Sequence, residues 1–151
     1  MSTLNILRTN SDHPDFQYLV KALDRELAII DGDEHEFFAQ FNKTANLATV
    51  LVGYENNQPV AIGALRPYDS EVVEVKRMYV VDSLRGKGIA SQVLAELEIW
   101  AAELGFKKCI LETGKKQPDA IALYKKNGYA VIPNFGQYAE IDNSVCFEKT
   151  L

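Results

Sequence analysis

The chain has 151 residues, 47% of them apolar and 25% charged, with a formal net charge of −5. This length fits one domain over residues 1–151, and the apolar share buries its core without a disulfide or metal staple. The acidic balance argues against a nucleic-acid partner, which demands a basic face. Residues 1–5 carry neither a basic nor an apolar signal region and no apolar run reaches bilayer length, so a cytoplasmic protein without a membrane partner is expected. Cys109 and Cys146 lie in apolar stretches and read as buried, reduced thiols. No zinc spacing occurs, and His35-Glu36 lacks a second His four residues on, so no metal is expected.

Residues 4–8 alternate like a short strand. Phe16, Leu19, Val20, Leu23, Leu27 and Ile30 then recur at helical spacing over residues 14–30, with Asp12 as the expected cap and Pro14 near the first turn. A second short helix is expected from Glu34 to Phe41. The acidic then aromatic stretch from Asp31 to Phe38 reads as a solvated helix start, in preference to a receptor for a cationic amine. Residues 47–54 and 60–66 form a hairpin around the turn at 55–58, and 71–81 is a third strand rich in β-branched residues.

After a loop, Ile89, Val93, Leu97, Trp100 and Leu104 define one face of the most strongly patterned helix, which Gly105 ends. Residues 107–112 return to strand, and Pro118 opens a helix running to Gly128. Strands at 129–132 and 144–149 flank the loop 133–143. The fold class is therefore α/β (α+β): a mixed, mostly antiparallel sheet with one right-handed parallel β-α-β crossover and flanking helices. The sheet edge at the last strands leaves a homodimer open.

The loop Arg85-Gly86-Lys87-Gly88-Ile89-Ala90 joins a strand to that patterned helix. Two glycines there leave backbone N–H groups and the positive helix end free for an anion, and Arg85 and Lys87 add charge. The spacing argues against a P-loop, and Ser91 occupies the third glycine position of a dinucleotide fingerprint, so ATP and NAD are disfavoured.

Arg85, Gly88 and Ala90 in the pattern Arg-x-x-Gly-x-Ala, behind the strand Val75–Val81, resemble the acyl-CoA signature of the GNAT superfamily of N-acyltransferases. The segment Gln117–Tyr129 is similar to a second family element, with Gln117 where Asn is usual and Tyr124 seven residues later. The segments 111–114, 133–138 and 143–146 resemble a small single-domain bacterial branch. The resemblance covers about the last two-thirds of the chain and implies a GNAT-like sheet, acetyl-CoA as co-substrate and direct acetyl transfer to a primary amine in a ternary complex. The acceptor is then a small-molecule or amino-acid-like amine, or, as a variant, a protein amine. A regulatory domain that binds acyl-CoA without turnover is the competing reading.

Residue by residue, the resemblance places Glu74 as general base, where the alternative is an ordinary strand residue or salt-bridge partner. It implies a strand bulge that frees backbone N–H groups around Met78, Tyr79 and Val80 for the thioester. Arg85 through Ala90 and Gln117 would hold the CoA, and Tyr124 would protonate its thiolate, unless Tyr124 is only a core aromatic. Glu112, Phe135 and Tyr138 are candidate acceptor-pocket residues. Arg77 either binds a substrate carboxylate or pairs with a neighbouring acid.

Overall fold

The computed structural model describes residues 4–39 and 46–151. In chain order its elements are β1 (Asn5–Thr9), α1 (Pro14–Asp31), α2 (His35–Ala39), β2 (Thr49–Glu55), β3 (Gln58–Pro67), β4 (Val72–Val80), α3 (Ile89–Glu103), β5 (Lys108–Gly114), α4 (Pro118–Lys126), β6 (Ala130–Ile132) and β7 (Ser144–Thr150). The expected end of the second helix at Phe41 lies outside the described residues. The cap of α1 is His13 rather than Asp12: His13 Nδ1 accepts from the Asp15 N–H at 3.1 Å. Asn56 and Asn57, both at positive φ, make the two-residue turn between β2 and β3, a conformation that Asn tolerates better than most residues.

The seven strands run in the order β1-β2-β3-β4-β5-β7-β6, and β4 with β5 is the one parallel pair. The final hairpin is placed so that β7, not β6, lies beside β5. Each face of the sheet has its own core. One holds Val73, Val75, Val93, Leu97, Leu111 and Phe147 under α3 and α4. Phe16, Leu19, Val50, Val52 and Ile62 pack under α1 on the other. Alternation along β4 divides its residues between these layers: Val73 and Val75 go to the first, Glu74 and Lys76 to the second. On α3 the buried stripe is Ile89, Val93, Leu94, Leu97 and Ala101. Leu104, expected on that face, is the exposed C-cap, because the helix stops one residue before it.

Two departures from regularity position the site. Parallel pairing between β4 and β5 covers only Val72–Glu74, so the two strands part beyond Glu74 and leave β4 with an open edge. On its other edge, β4 carries a bulge: Ile62 pairs with Tyr79 and Ala64 with Lys76, so Arg77 and Met78 together face Gly63. Arg77 absorbs the extra residue at φ +57. The shift keeps Arg77 on the α1 face with Glu74 and Lys76, where an unbulged strand would point it into the apolar layer under α3.

Candidate active site

Two cavities meet where β4 and β5 part. The larger is a cleft of ≈ 650 Å³ between the β4 edge, the loop before α3, and α4. Its floor includes Met78, Tyr79 and Val80, and its walls carry Gly86, Gly88, Ile89, Ala90 and Gln117. Gly86 and Gly88 sit at φ +79 and +82, with open space where a Cβ would stand. Gly88 caps α3 without a side-chain bond, and the first turn of that helix holds no acid, so its N–H groups and positive end face the cleft uncompensated. Those features fit the phosphates of a CoA ester.

The backbone of β4 supplies a further donor. The Val81 N–H bonds Val60 O on β3 at 2.9 Å, so by alternation the Val80 N–H and C=O point away from β3, toward the cleft. Arg85 Nε donates to the Val80 carbonyl at 2.9 Å. Arg85 also forks onto Glu26 of α1, at 2.9 and 2.6 Å, and lies over the Tyr79 ring. Its charge thus braces α1 against the loop. Lys87 is exposed and outside the cleft lining. Asn127 joins the two helices of the cleft, donating to Ser91 Oγ at 3.1 Å and to Leu123 O at 2.8 Å.

The smaller cavity, of ≈ 120 Å³, lies on the α1 side and is lined by Asp31, Glu74, Lys76, Arg77, Glu112 and Tyr138, among others. Glu74 is buried; its Oε2 accepts from Tyr138 OH at 3.3 Å and stands 3.6 Å from Lys76 Nζ. Lys76 also donates to Tyr138 OH at 3.2 Å. Glu74 is therefore both a cavity residue and an ion-pair partner. Burial pulls the Lys76 ammonium below its ordinary range, against the raising influence of Glu74 and Glu112. It pushes Glu112 above the carboxylate range, partly offset by a 2.6 Å bond from Ser144 Oγ. Tyr138 is likewise raised, by burial first and Glu74 next.

Tyr124 lines both cavities, and burial, with Glu112 second, lifts its hydroxyl well above the phenol range. It also packs edge-on against Tyr129 and tilted on Phe147, so it is core and cavity wall at once. Phe135, expected in the pocket, is not among the lining residues; it packs edge-on between Tyr68 and Tyr138 and supports the latter. Arg77 pairs with Asp24 of α1, as one of its two readings required. Asp31 corrects the reading of the acidic stretch: it ends α1, is buried, and lines the cavity, burial raising its carboxyl. Lys76 escaped sequence reasoning, although its i+2 spacing from Glu74 was a signal for a shared face. Cys109 and Cys146 are free, buried thiols raised by burial to about 11. Among the described residues no helix is long and apolar enough to cross a membrane, and no cluster of His, Cys, Asp or Glu is arranged for a metal.

Comparison with known proteins agrees with this fold. The IAA acetyltransferase of Azospirillum brasilense is 35% identical over 142 residues, 88% of each chain. The uncharacterized N-acetyltransferase YjgM of Escherichia coli K12 is 31% identical over 109 residues, 70% of this chain and 64% of that protein. A Klebsiella pneumoniae crystal structure described as an acyl-CoA N-acyltransferase superposes with a TM-score of 0.82 at 30% identity, covering 100% of this chain and 98% of that one. An acetyl-CoA-bound GNAT acetyltransferase of Elizabethkingia anophelis shares the fold, with a TM-score of 0.72 at 20% identity over 98% of both chains. The model of the acetyltransferase (GNAT) family matches residues 13–129, and with it the resemblance read from the sequence holds: the chain belongs to the GNAT family of acetyltransferases.

Proposed function

We propose that this chain is an acetyl-CoA-dependent N-acetyltransferase that passes the acetyl group directly to the primary amine of a small acceptor within a ternary complex. The observation that carries the reading is the junction of the two cavities: a cleft with a glycine-lined helix end opens, at Tyr124, onto a small cavity holding Glu74. Acetyl-CoA, when bound, supplies an activated acyl thioester. Gly86, Gly88 and the first turn of α3 would hold its phosphates, and Gln117 its arm.

The chain's residues then meet the three demands of amine acylation. Glu74 takes the proton the ammonium must lose, and Lys76 and Tyr138 keep its carboxylate in place. The Val80 N–H receives the charge developing on the carbonyl oxygen. With acetyl-CoA bound, Tyr124, kept neutral by burial, would give its proton to the sulfur as the C–S bond breaks, and the second proton lost by the nitrogen as the C–N amide forms would restore the phenol. A domain that binds acyl-CoA without turnover would have no use for Glu74 and Tyr124 in these places.

Calorimetry with acetyl-CoA, with ATP and NAD as controls, tests the donor; Gly88→Glu should abolish binding while the protein stays folded. Once an amine substrate is in hand, Glu74→Gln and Tyr124→Phe should each lower kcat by roughly 10²-fold or more. Absence of acetyl-CoA binding by the folded protein would sink the reading.

A further inference from the structure

Among the described residues three carboxylates and three cations line the small cavity, but two of the cations are paired with acids outside it. Glu74, Glu112 and Asp31 all line it, and the latter two carboxylates are raised first by burial. Its cations are committed: Lys116 bonds Glu34 at 3.0 Å, Lys76 stands by Glu74 and Tyr138, and Arg77 is paired with Asp24. Among the described residues Glu112 accepts only the Ser144 hydroxyl bond and shares the influence of Lys76 with Glu74, and His35 stands 3.9 Å from Asp31. Carboxylates withdrawn from water without matched cations are costly, and a ligand ammonium supplies the missing charge.

A second, independent feature is opposite in sign. Arg77 is buried to 5% exposure, and while one terminal nitrogen meets Asp24, its Nε has no hydrogen-bond acceptor among the described residues. A guanidinium carries five donors in a fixed fork, and a buried donor without an acceptor is rare and destabilising. Arg77 stands on the cavity face because of the bulge, held there in a left-handed conformation that costs a side-chain-bearing residue about 1–2 kcal/mol. A cavity wall that holds both an unmet guanidinium donor and carboxylates short of cations suits a ligand with both charges.

We propose that the acceptor is a compact zwitterion of the amino-acid class, its carboxylate taken by the Arg77 Nε–H and its ammonium seated among Glu112, Glu74 and Asp31. This rests on the acetyltransferase reading above. Arg77 is then a specificity residue: it selects acceptors with an anionic oxygen and orients the amine toward Glu74. The cavity volume of ≈ 120 Å³ suits a small molecule better than a peptide segment.

The test is initial-rate kinetics with acetyl-CoA on the common amino acids, each beside its carboxamide and its decarboxylated amine. Calorimetric titration of the same compounds into the protein with CoA accompanies it. The expected result is a preference of about ten-fold or more in kcat/KM for the free acid over its amide, carried by KM, with the same order in the titration. Arg77→Gln should collapse that ratio toward one, with folding verified by circular dichroism. If Arg77→Gln does not fold, the wild-type comparison alone decides. Equal use of acid and amide, preference for diamines, or no amino acid either bound or acetylated overturns the proposal. Acetyl-CoA binding measured alone separates these failures from failure of the acetyltransferase reading.

Discussion

Gly63 on β3 stands so close to Met78 on β4 that a Cβ on Gly63 would lie 2.8 Å from Met78 Sδ, with Leu97 Cδ1 at 2.9 Å. The bulge needs that missing side chain. Two β4 residues face one on β3, and Met78 leans toward α3 through the space over Gly63. Gly63→Ala forces Met78, Leu97 and Val93 apart together, and overpacking of this kind costs about 1–3 kcal/mol. A lowered urea midpoint is expected, together with weaker acetyl-CoA binding as the Val80 N–H is displaced. An unchanged midpoint would mean that the bulge does not depend on the glycine.

Arg85 and Lys87 separate two roles that the basic loop merges in sequence. Arg85 is engaged by Glu26 and by the Val80 carbonyl, whereas Lys87 is exposed and makes no ion pair among the described residues. Arg85→Ala is expected to lower stability by about 1 kcal/mol, a modest figure because the pair with Glu26 is partly solvated. Lys87→Ala should leave stability within about 0.5 kcal/mol. It should also reduce the dependence of acetyl-CoA affinity on ionic strength, since it removes a screened charge near the phosphates. Titrations at two salt concentrations on both variants check this; an equal salt slope in Lys87→Ala and the wild type would remove Lys87 from phosphate recognition.

Glu112 predicts a pH dependence. Burial holds its folded-state carboxyl above the ordinary 4.5, against the lowering influence of Ser144 and Lys76, while Glu74 and Asp31 add to the rise. A group raised on folding contributes stability that is complete below its unfolded value and lost as pH climbs through the folded one. The wild-type protein therefore carries the cost of the ionised Glu112 at neutral and alkaline pH. Glu112→Gln should match it below pH 4.5 and become the more stable of the two above the folded value, measured as urea midpoints across that range. A gap that widens toward acid pH instead would reverse the assigned sign.

Much of this molecule was legible in its residues. The hydrophobic periods located the strands and helices because burial of one face is a local, repeating demand. The glycine loop at the start of α3 was visible in the sequence, since that device depends on a few contiguous residues. The family resemblance pointed to Glu74 and Tyr124, and the fold brings both into the cavity linings. The boundaries that failed were decided by single contacts, such as His13 Nδ1 on the Asp15 N–H.

What the chain alone could not reveal depends on residues far apart in sequence. The parting of β4 from β5 beyond Glu74 creates the cavities, and no local pattern encodes where a parallel pair stops. The face that Arg77 occupies follows from a one-residue shift against Gly63, fourteen positions earlier, so strand alternation alone sends it to the wrong layer. Asp31 reads as a solvated helix acid until the packing of α1 across the sheet buries it beside Glu112. The sequence by itself determined the elements and the glycine loop before α3, because propensity, patterning and turn chemistry act over a few residues. Only the tertiary structure decided which charges share one cavity and how they are paired there, because desolvation and pairing are set by what folds over them.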